Sequence, residues 1–481
     1  MVDPEIRRLA LGCFLPGFTG PTPPRWLLDG LAAGVGGLVL FGSNLGDGER
    51  VAELTSGLTA AAGRPLVFAL DEEGGDVTRL DTVRGSSTPG QAALGQLDDA
   101  AATEAVYTEI GVRLAEAGVT LNLAPVADVN SDALNPVIGV RSFSARPDVA
   151  ARQVAAAVRG LQSTGVAACV KHFPGHGATR ADSHHQIATV DRGRELLKAV
   201  DYEPFQAAIK AGTRAVMTGH LMVPALDDRL ATVSRRITTG VLREELGFDG
   251  AIVTDALEMQ AVAGLLPAEV AFVHALIAGA DTIETGALDY PELIEAIPER
   301  VQRAVDTGWL SVERLAEAAR RTAALAAQPV APLPPRPAAA ELAAVAARCL
   351  EVRGTLPRMV RPLILECRSP NGMATGDLPW SLAEPLAARC SGAEIRLVDG
   401  PQSSPDFLAG ADGRTVVVVI RDPNRAMWQH QVLEAAYQHS GSAVVVDVGW
   451  PTELPDRRPV LRTRGIAPGL LTAAADLLVG V

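Results

Sequence analysis

Short apolar runs recur along the first 330 or so positions, separated by longer stretches in which apolar residues return every third or fourth place. The runs are Leu9–Phe14, Gly37–Phe41, Leu66–Leu70, Thr120–Ala124, Ala167–Val170, Ala215–Met217, Ala251–Thr254 and Thr282–Glu284. A brief run without polar alternation fits a strand buried on both faces, and the periodic stretches between runs fit amphipathic helices. Eight such β/α units predict a (β/α)8 TIM-like barrel, with a doubly wound open sheet as the alternative α/β arrangement.

The pattern breaks at Pro329, Pro332, Pro334, Pro335 and Pro337. Proline at this density favours extended polyproline II and cannot continue a helix. We therefore expect a barrel over residues 1–328, a stiff linker over 329–340 and a second domain over 341–481. An Ala-rich helix from Ala338 to about Leu350 would open that domain. Leu363–Glu366, Ile395–Val398, Thr415–Ile420 and Ala443–Val448 read as buried parallel strands, with Glu434 in the helix between the last two. The expectation is a smaller C-terminal α/β sandwich with no dense polar motif, serving packing or oligomerisation. The oligomeric state itself is left open.

Composition narrows the partners. The net charge is −13, and no basic stripe offers the clustered Lys and Arg that nucleic acid demands. The five cysteines (Cys13, Cys169, Cys349, Cys367, Cys390) include no C-x-x-C pair, which fits buried thiols in a reducing compartment. The start, Met1-Val2-Asp3-Pro4-Glu5, lacks the basic and apolar regions of a secretion signal, and no apolar run approaches a membrane span. The expectation is a cytoplasmic protein that binds neither nucleic acid nor membrane.

The strand-like runs end in polar or Gly/Pro-rich segments: Asp71-Glu72-Glu73-Gly74-Gly75, Ala124-Pro125-Val126-Ala127-Asp128, Lys171 to Gly177, Thr218-Gly219-His220 and Thr254-Asp255. In a barrel these are carboxyl ends of strands, where chemistry is assembled. His172, His176, His184 and His185 crowd one of them. Such crowding suits a metal site, an acid/base apparatus or chance in a loop. The Gly- and Pro-containing segment lacks H-x-x-x-H helical spacing, which weighs against metal, so no metal or other cofactor is expected. In Asp182-Ser183-His184 a carboxylate two residues from an imidazole can orient the ring and stabilise its protonated form, and imidazole titrates near working pH. His185 competes for that role, but in an extended segment it faces away from Asp182. His176, between glycines, is expected to shape its loop, and His220 could line a pocket or serve structure.

At these residues the chain resembles the β-N-acetylglucosaminidases of glycoside hydrolase family 3. Lys171-His-Phe-Pro-Gly-His-Gly177 followed by Asp182-Ser-His184 is similar to their K-H-F-P-G-H-G…D-S-H signature. Gly250–Met259 resembles their nucleophile segment, Asp71–Gly75 with Arg79 their D-[QE]-E-G-G-x-[VI]-x-R motif, and Asn135–Phe143 their N-P-x-I-G-x-R-S-F motif. The resemblance covers about residues 5–330, in matching order. It implies Asp255 as nucleophile, Asp182 and His184 as acid/base dyad, and Asp71, Arg79, Arg141, Lys171 and His172 as ligands of the terminal sugar. Asp76 departs from the pattern: several members have Arg there, so an added negative charge is expected near the pocket mouth, with Arg79 the surviving cation.

The implied chemistry is retaining removal of a terminal N-acetylglucosamine through a glycosyl-Asp255 intermediate. The small carbohydrate substrate would be a peptidoglycan-turnover fragment. Two rivals stay open: phosphorolysis, since an imidazole repels incoming phosphate less than a carboxylate does, and a β-glucosidase of the same family. A non-catalytic sugar-binding protein is the rival from another class.

Overall fold

The computed structural model describes residues 1–481 except 47–49, 184–185, 327–331, 401–404, 455–458 and 481. Among the described residues, eight short strands build the ring of the first unit: β1 (Phe14–Leu15), β2 (Gly37–Val39), β3 (Val67–Leu70), β4 (Leu121–Asn122), β5 (Ala167–Phe173), β6 (Ala215–Thr218), β7 (Ala251–Thr254) and β8 (Ile283–Glu284). Strands β2 to β7 pair in sequence order, all parallel, and β1 pairs parallel with β8. The ring closes through a bridge between Val253 and Thr282 and through the Val39 amide, which donates to the Pro16 carbonyl at 3.1 Å.

Side chains alternate along each strand, so one set faces the barrel interior and the other meets the surrounding helices. Val39, Val67, Ala69, Leu121, Ala167, Cys169, Ala215, Met217, Ala251 and Val253 form the inner cluster. Leu38, Phe68, Leu70, Ala168, Val170, Val216 and Ile252 join the outer core between sheet and helices. Both sets are buried, which is why the runs carry no polar alternation.

The first expected strand is displaced. Leu9–Gly12 belongs to a helix, Pro4–Gly12, and the strand occupies only Phe14–Leu15. The Asp3 side chain caps that helix by accepting from the Glu5 and Ile6 amides at 2.8 and 3.4 Å, and Pro4 sits at its first turn. Ile6, Leu9 and Ala10 then share its buried face, a 3.6-residue pattern that a short apolar window mistakes for a strand.

The second unit holds β9 (Glu351–Arg353), β10 (Leu363–Cys367), β11 (Glu394–Val398), β12 (Val416–Ile420), β13 (Ala443–Asp447) and β14 (Val460–Arg462). They form one sheet in the order β9-β14-β13-β12-β10-β11, parallel except for the β9–β14 pair. Helices Trp428–His439 and Pro468–Val479 contribute to opposite cores: Val432, Leu433 and Ala436 pack with Val416, Val418 and Val445, whereas Leu471, Ala474 and Leu478 pack with Val417, Val419 and Val446.

Between the units, residues 332–338 carry no regular structure and helix Ala339–Arg348 follows. Arg336 in this stretch forks onto Glu109 of the barrel, with hydrogen bonds of 3.1 and 2.6 Å. Among the described residues no helix is long and apolar enough to cross a membrane.

Candidate functional site

The carboxyl ends of β3, β5, β7 and β8 open into one cavity of about 450 Å³. Asp71, Arg79, Arg141, Lys171, His172 and Asp255 all line it, together with Glu73, Glu258, Glu284 and the second unit's Met373 and Ala374. Six of the eight residues singled out from the sequence thus share one space, although Asp71 and Asp255 are 184 positions apart in the chain.

Lys171 is the centre of the charge pattern. Its side chain is 3% exposed, and Nζ reaches Asp71 Oδ1 at 2.5 Å and Glu73 Oε1 at 2.9 Å. Arg141 grips Glu73 with two hydrogen bonds, Nε to Oε2 at 3.0 Å and Nη2 to Oε1 at 2.7 Å. Burial alone would raise the Glu73 carboxyl, but Arg141 and Lys171 outweigh it and hold Glu73 well below the usual carboxylate range. Burial likewise works against the Lys171 ammonium, yet Asp71 and Glu73 keep its pKa above the ordinary value. These are charged groups withdrawn from water but paired, able to present fixed donors and acceptors to a polar ligand.

The loop after β3 is shaped by a residue that does not reach the cavity. Glu72 Oε2 accepts from Thr78 Oγ1 at 3.0 Å and from the Arg79 and Leu80 amides at 2.8 and 3.0 Å. This fold-back places Glu73 and Arg79 on the cavity side. Gly75 has φ +62°, and a Cβ there would come within 2.4 Å of Gly90 Cα, so the turn requires glycine.

His172 takes its orientation from Asp128, which follows β4. Nδ1 lies 2.7 Å from Asp128 Oδ2, while Asp128 Oδ1 accepts from the His176 amide at 2.6 Å. Burial pushes Asp128 upward, and His172 and His176 together more than reverse it, so the carboxyl stays below its ordinary value. His176 spends both ring nitrogens on its own loop, 2.6 Å from Thr179 Oγ1 and 3.0 Å from Ser183 Oγ. Burial pushes its pKa down to about 4. A Cβ at Gly177 would meet the Val129 carbonyl at 1.9 Å, which explains the glycine after that histidine.

Asp255 follows β7. Its amide donates to the Thr218 carbonyl at 3.1 Å, and its Oδ1 accepts from the Ala256 amide at 2.9 Å. His220, fully buried and outside the cavity lining, holds the same turn by bonding Nε2 to the Ala256 carbonyl at 2.9 Å. Asp255 is therefore fixed by backbone on both sides.

The segment expected to supply acid/base chemistry is placed less directly. Asp182 lines a neighbouring cleft of about 940 Å³, between the barrel's 133–141 loop and Arg421, Arg425, Trp428 and Trp450 of the second unit. Cleft and cavity share Val137, Arg141 and Met373, and Ser183 lines the cavity itself. His184 and His185 lie outside the described residues. Among the described residues, no group of three or more His, Cys, Asp or Glu could hold a metal ion.

The charge expected from Asp76 is corrected by the structure. Asp76 is 4% exposed and does not line the cavity; its Oδ2 accepts from Arg421 Nη2 at 2.8 Å and its Oδ1 from the Ile466 amide at 2.9 Å. The carboxylate faces the second unit, where Arg421 neutralises it. Arg421 also donates to Asn371 Oδ1 at 2.7 Å, steadying the segment that brings Met373 and Ala374 to the cavity. Arg79 binds that segment too, donating to the Ala374 carbonyl at 3.1 Å while lying 3.7 Å from Asp71. The second unit thus walls the site, a role beyond packing that its sequence did not suggest.

Glu73 and Glu284 lay within segments read as strand ends, and Asp128 closed another; their residue type was the available signal. Met373 and Ala374 had none, because only the docking of the two units brings them near.

Against known proteins, the model of the glycosyl hydrolase family 3 N-terminal domain matches residues 28–325. A β-hexosaminidase of Stenotrophomonas maltophilia is 38% identical over 301 residues, 59% of this chain and 84% of its own length. The β-hexosaminidase A of Pseudoalteromonas piscicida is 38% identical over 269 residues, which span 51% of this chain but only 45% of that protein. A solved family 3 β-N-acetylglucosaminidase from Paenibacillus sp. superposes with a TM-score of 0.87 at 29% identity, covering 98% of this chain and 96% of that one.

Proposed function

This chain belongs to glycosyl hydrolase family 3, and from that premise we propose that it is a retaining exo-β-N-acetylglucosaminidase. The observation that carries the reading is the shared cavity. Asp255 opens into the same enclosed space as the Asp71–Lys171–Glu73–Arg141 network.

In this reading the network and His172 hold the non-reducing sugar by its hydroxyls. Asp255 Oδ2 or Oδ1 attacks the anomeric carbon, the glycosidic bond breaks, and the imidazole of His184 delivers a proton to the departing oxygen. Asp182 orients that imidazole. Water then gives a proton back to His184, its oxygen bonds to the anomeric carbon, and Asp255 leaves as carboxylate. In this reading Asp71, Arg141 and Lys171 surround the non-reducing end of the sugar, which suits removal of one sugar at a time. The natural substrate in this reading is N-acetylglucosamine joined to anhydro-N-acetylmuramic acid. Its place of action is the cytoplasm, a reading supported by five unpaired thiols, four of them buried.

Purified wild type is to be incubated with 4-nitrophenyl β-N-acetylglucosaminide and the corresponding glucoside, with and without phosphate. Free N-acetylglucosamine as main product in both buffers, with the glucoside slower, is the expected result. Sugar 1-phosphate as main product would make it a phosphorylase, and faster glucoside cleavage would make it a β-glucosidase.

A further inference from the structure

Of the two cavity carboxyls with no part in the chemistry above, Glu258 and Glu284, only Glu284 is buried. Glu284 ends β8, next to β7 and Asp255, and lines the cavity while remaining 4% exposed. Its backbone is spoken for: the amide lies 3.3 Å from Thr254 Oγ1 and the carbonyl accepts from the Leu257 amide at 3.2 Å. Its Oε2 is buried with no hydrogen-bond partner. A buried carboxyl oxygen left unbonded loses the free energy that water would have supplied, and such an atom in a binding cavity points to a ligand that satisfies it.

We propose that Glu284 is a further substrate-contacting residue, its unpartnered carboxyl oxygen forming a hydrogen bond with a hydroxyl of the terminal sugar. The inference rests on the glycosidase reading. Charge decides which way the bond runs. Burial pushes the Glu284 carboxyl well above the ordinary range, Asp255 and Asp71 push it further, Lys171 opposes them, and Glu258 adds a smaller upward push. Lys171 is already engaged by Asp71 and Glu73, and among the described residues no salt bridge reaches Glu284. Burial and the neighbouring carboxylates favour the protonated form of Glu284, in which the carboxyl can donate a hydrogen bond to the sugar hydroxyl. A donor beside the nucleophile also keeps like charge away from Asp255 while it attacks.

The test is a double-mutant cycle between protein and substrate. Wild type, Glu284→Leu and Glu284→Gln are assayed on 4-nitrophenyl β-N-acetylglucosaminide and on its 3-, 4- and 6-deoxy analogues. Glu284→Leu removes the bond and should lose about tenfold in kcat/KM on the parent sugar. Glu284→Gln, which keeps an N–H donor, should recover most of that loss. On the one deoxy analogue lacking the contacted hydroxyl, the Leu, Gln and wild-type enzymes should converge. A purely structural role predicts equal losses on every analogue, and that outcome, or Leu and Gln variants indistinguishable from wild type on the parent, overturns the proposal. If Glu284→Leu does not fold, the isosteric Gln variant alone must still lose its difference from wild type on that analogue. Failure of wild type to cleave the parent sugar would sink the glycosidase reading instead, so the two failures are separable.

Discussion

Arg421→Met should uncouple the two units without touching any residue that lines the catalytic cavity. Arg421 and Asp76 form an ion pair at 2.8 Å with side chains 8% and 4% exposed, so neither charge can fall back on water when the other is removed. Truncating one partner of such a pair costs about 3–5 kcal/mol, roughly two to four decades in the equilibrium that holds the units together. The loss of the Arg421–Asn371 bond at 2.7 Å adds to it and frees the segment carrying Met373 and Ala374. Replacing both partners with apolar residues, Asp76→Leu with Arg421→Met, removes the stranded charge and should return stability to within about 1–2 kcal/mol of wild type. The pH dependence has a definite sign. Burial holds the Asp76 carboxyl above its ordinary value despite Arg421. A raised acid pKa contributes stability at acid pH that is lost as pH rises. Without Arg421 the pKa rises further, so the deficit of Arg421→Met grows from acid to neutral pH. Denaturant titration followed by tryptophan fluorescence reports it, since Trp380, Trp428 and Trp450 all lie in the second unit. A single variant within about 1 kcal/mol of wild type, or a double variant as unstable as the two singles summed, refutes this reasoning.

Three further outcomes follow from the same geometry. Glu73→Gln strands the Arg141 cation and leaves Lys171 with Asp71 alone, and it should lower kcat/KM by roughly 10- to 100-fold, read from initial rates, while leaving the enzyme folded by circular dichroism. Asp182→Asn should cost roughly a hundredfold on an alkyl glycoside but under about tenfold on a dinitrophenyl glycoside, whose leaving group needs little protonation. His176, held at about 4 by burial against 6.5 when unfolded, contributes stability above pH 6.5 that is lost as pH falls toward 4, about 3 kcal/mol in all; His176→Asn should flatten that stretch of the stability–pH curve measured by denaturation.

Much of this architecture was legible because buried parallel strands leave a plain trace. Val67–Leu70 and Ala251–Thr254 are apolar on both faces, and each is followed at once by a polar residue that turns into the cavity. Where two patterns compete over few residues the trace fails, as at Leu9–Gly12, where a capped helix wins over a strand. The antiparallel edge pair β9–β14 also escaped notice, since Glu351–Arg353 carries charged, partly exposed side chains that resemble loop. That Asp71, Lys171, His172 and Asp255 gather at strand ends could be read from the sequence, while the sugar-holding role proposed for the first three came from the family resemblance. The cluster's electrostatics could not be read, because the low pKa of Glu73 depends on two cations 68 and 98 positions away. Asp76 shows the same limit: an acid in a cation's place looked like a change at the pocket mouth until the structure supplied Arg421, 345 positions on.

The covalent step is the most exposed part of this account. Wild type quenched during turnover of a fluorinated N-acetylglucosaminide, whose slowed second step lets an intermediate accumulate, can be digested and its peptides weighed. Glycosyl mass on the peptide containing Asp255, absent from Asp255→Asn, is the predicted result. An adduct at Asp71 or Glu284, or turnover of that substrate with no adduct on any carboxylate, would contradict it.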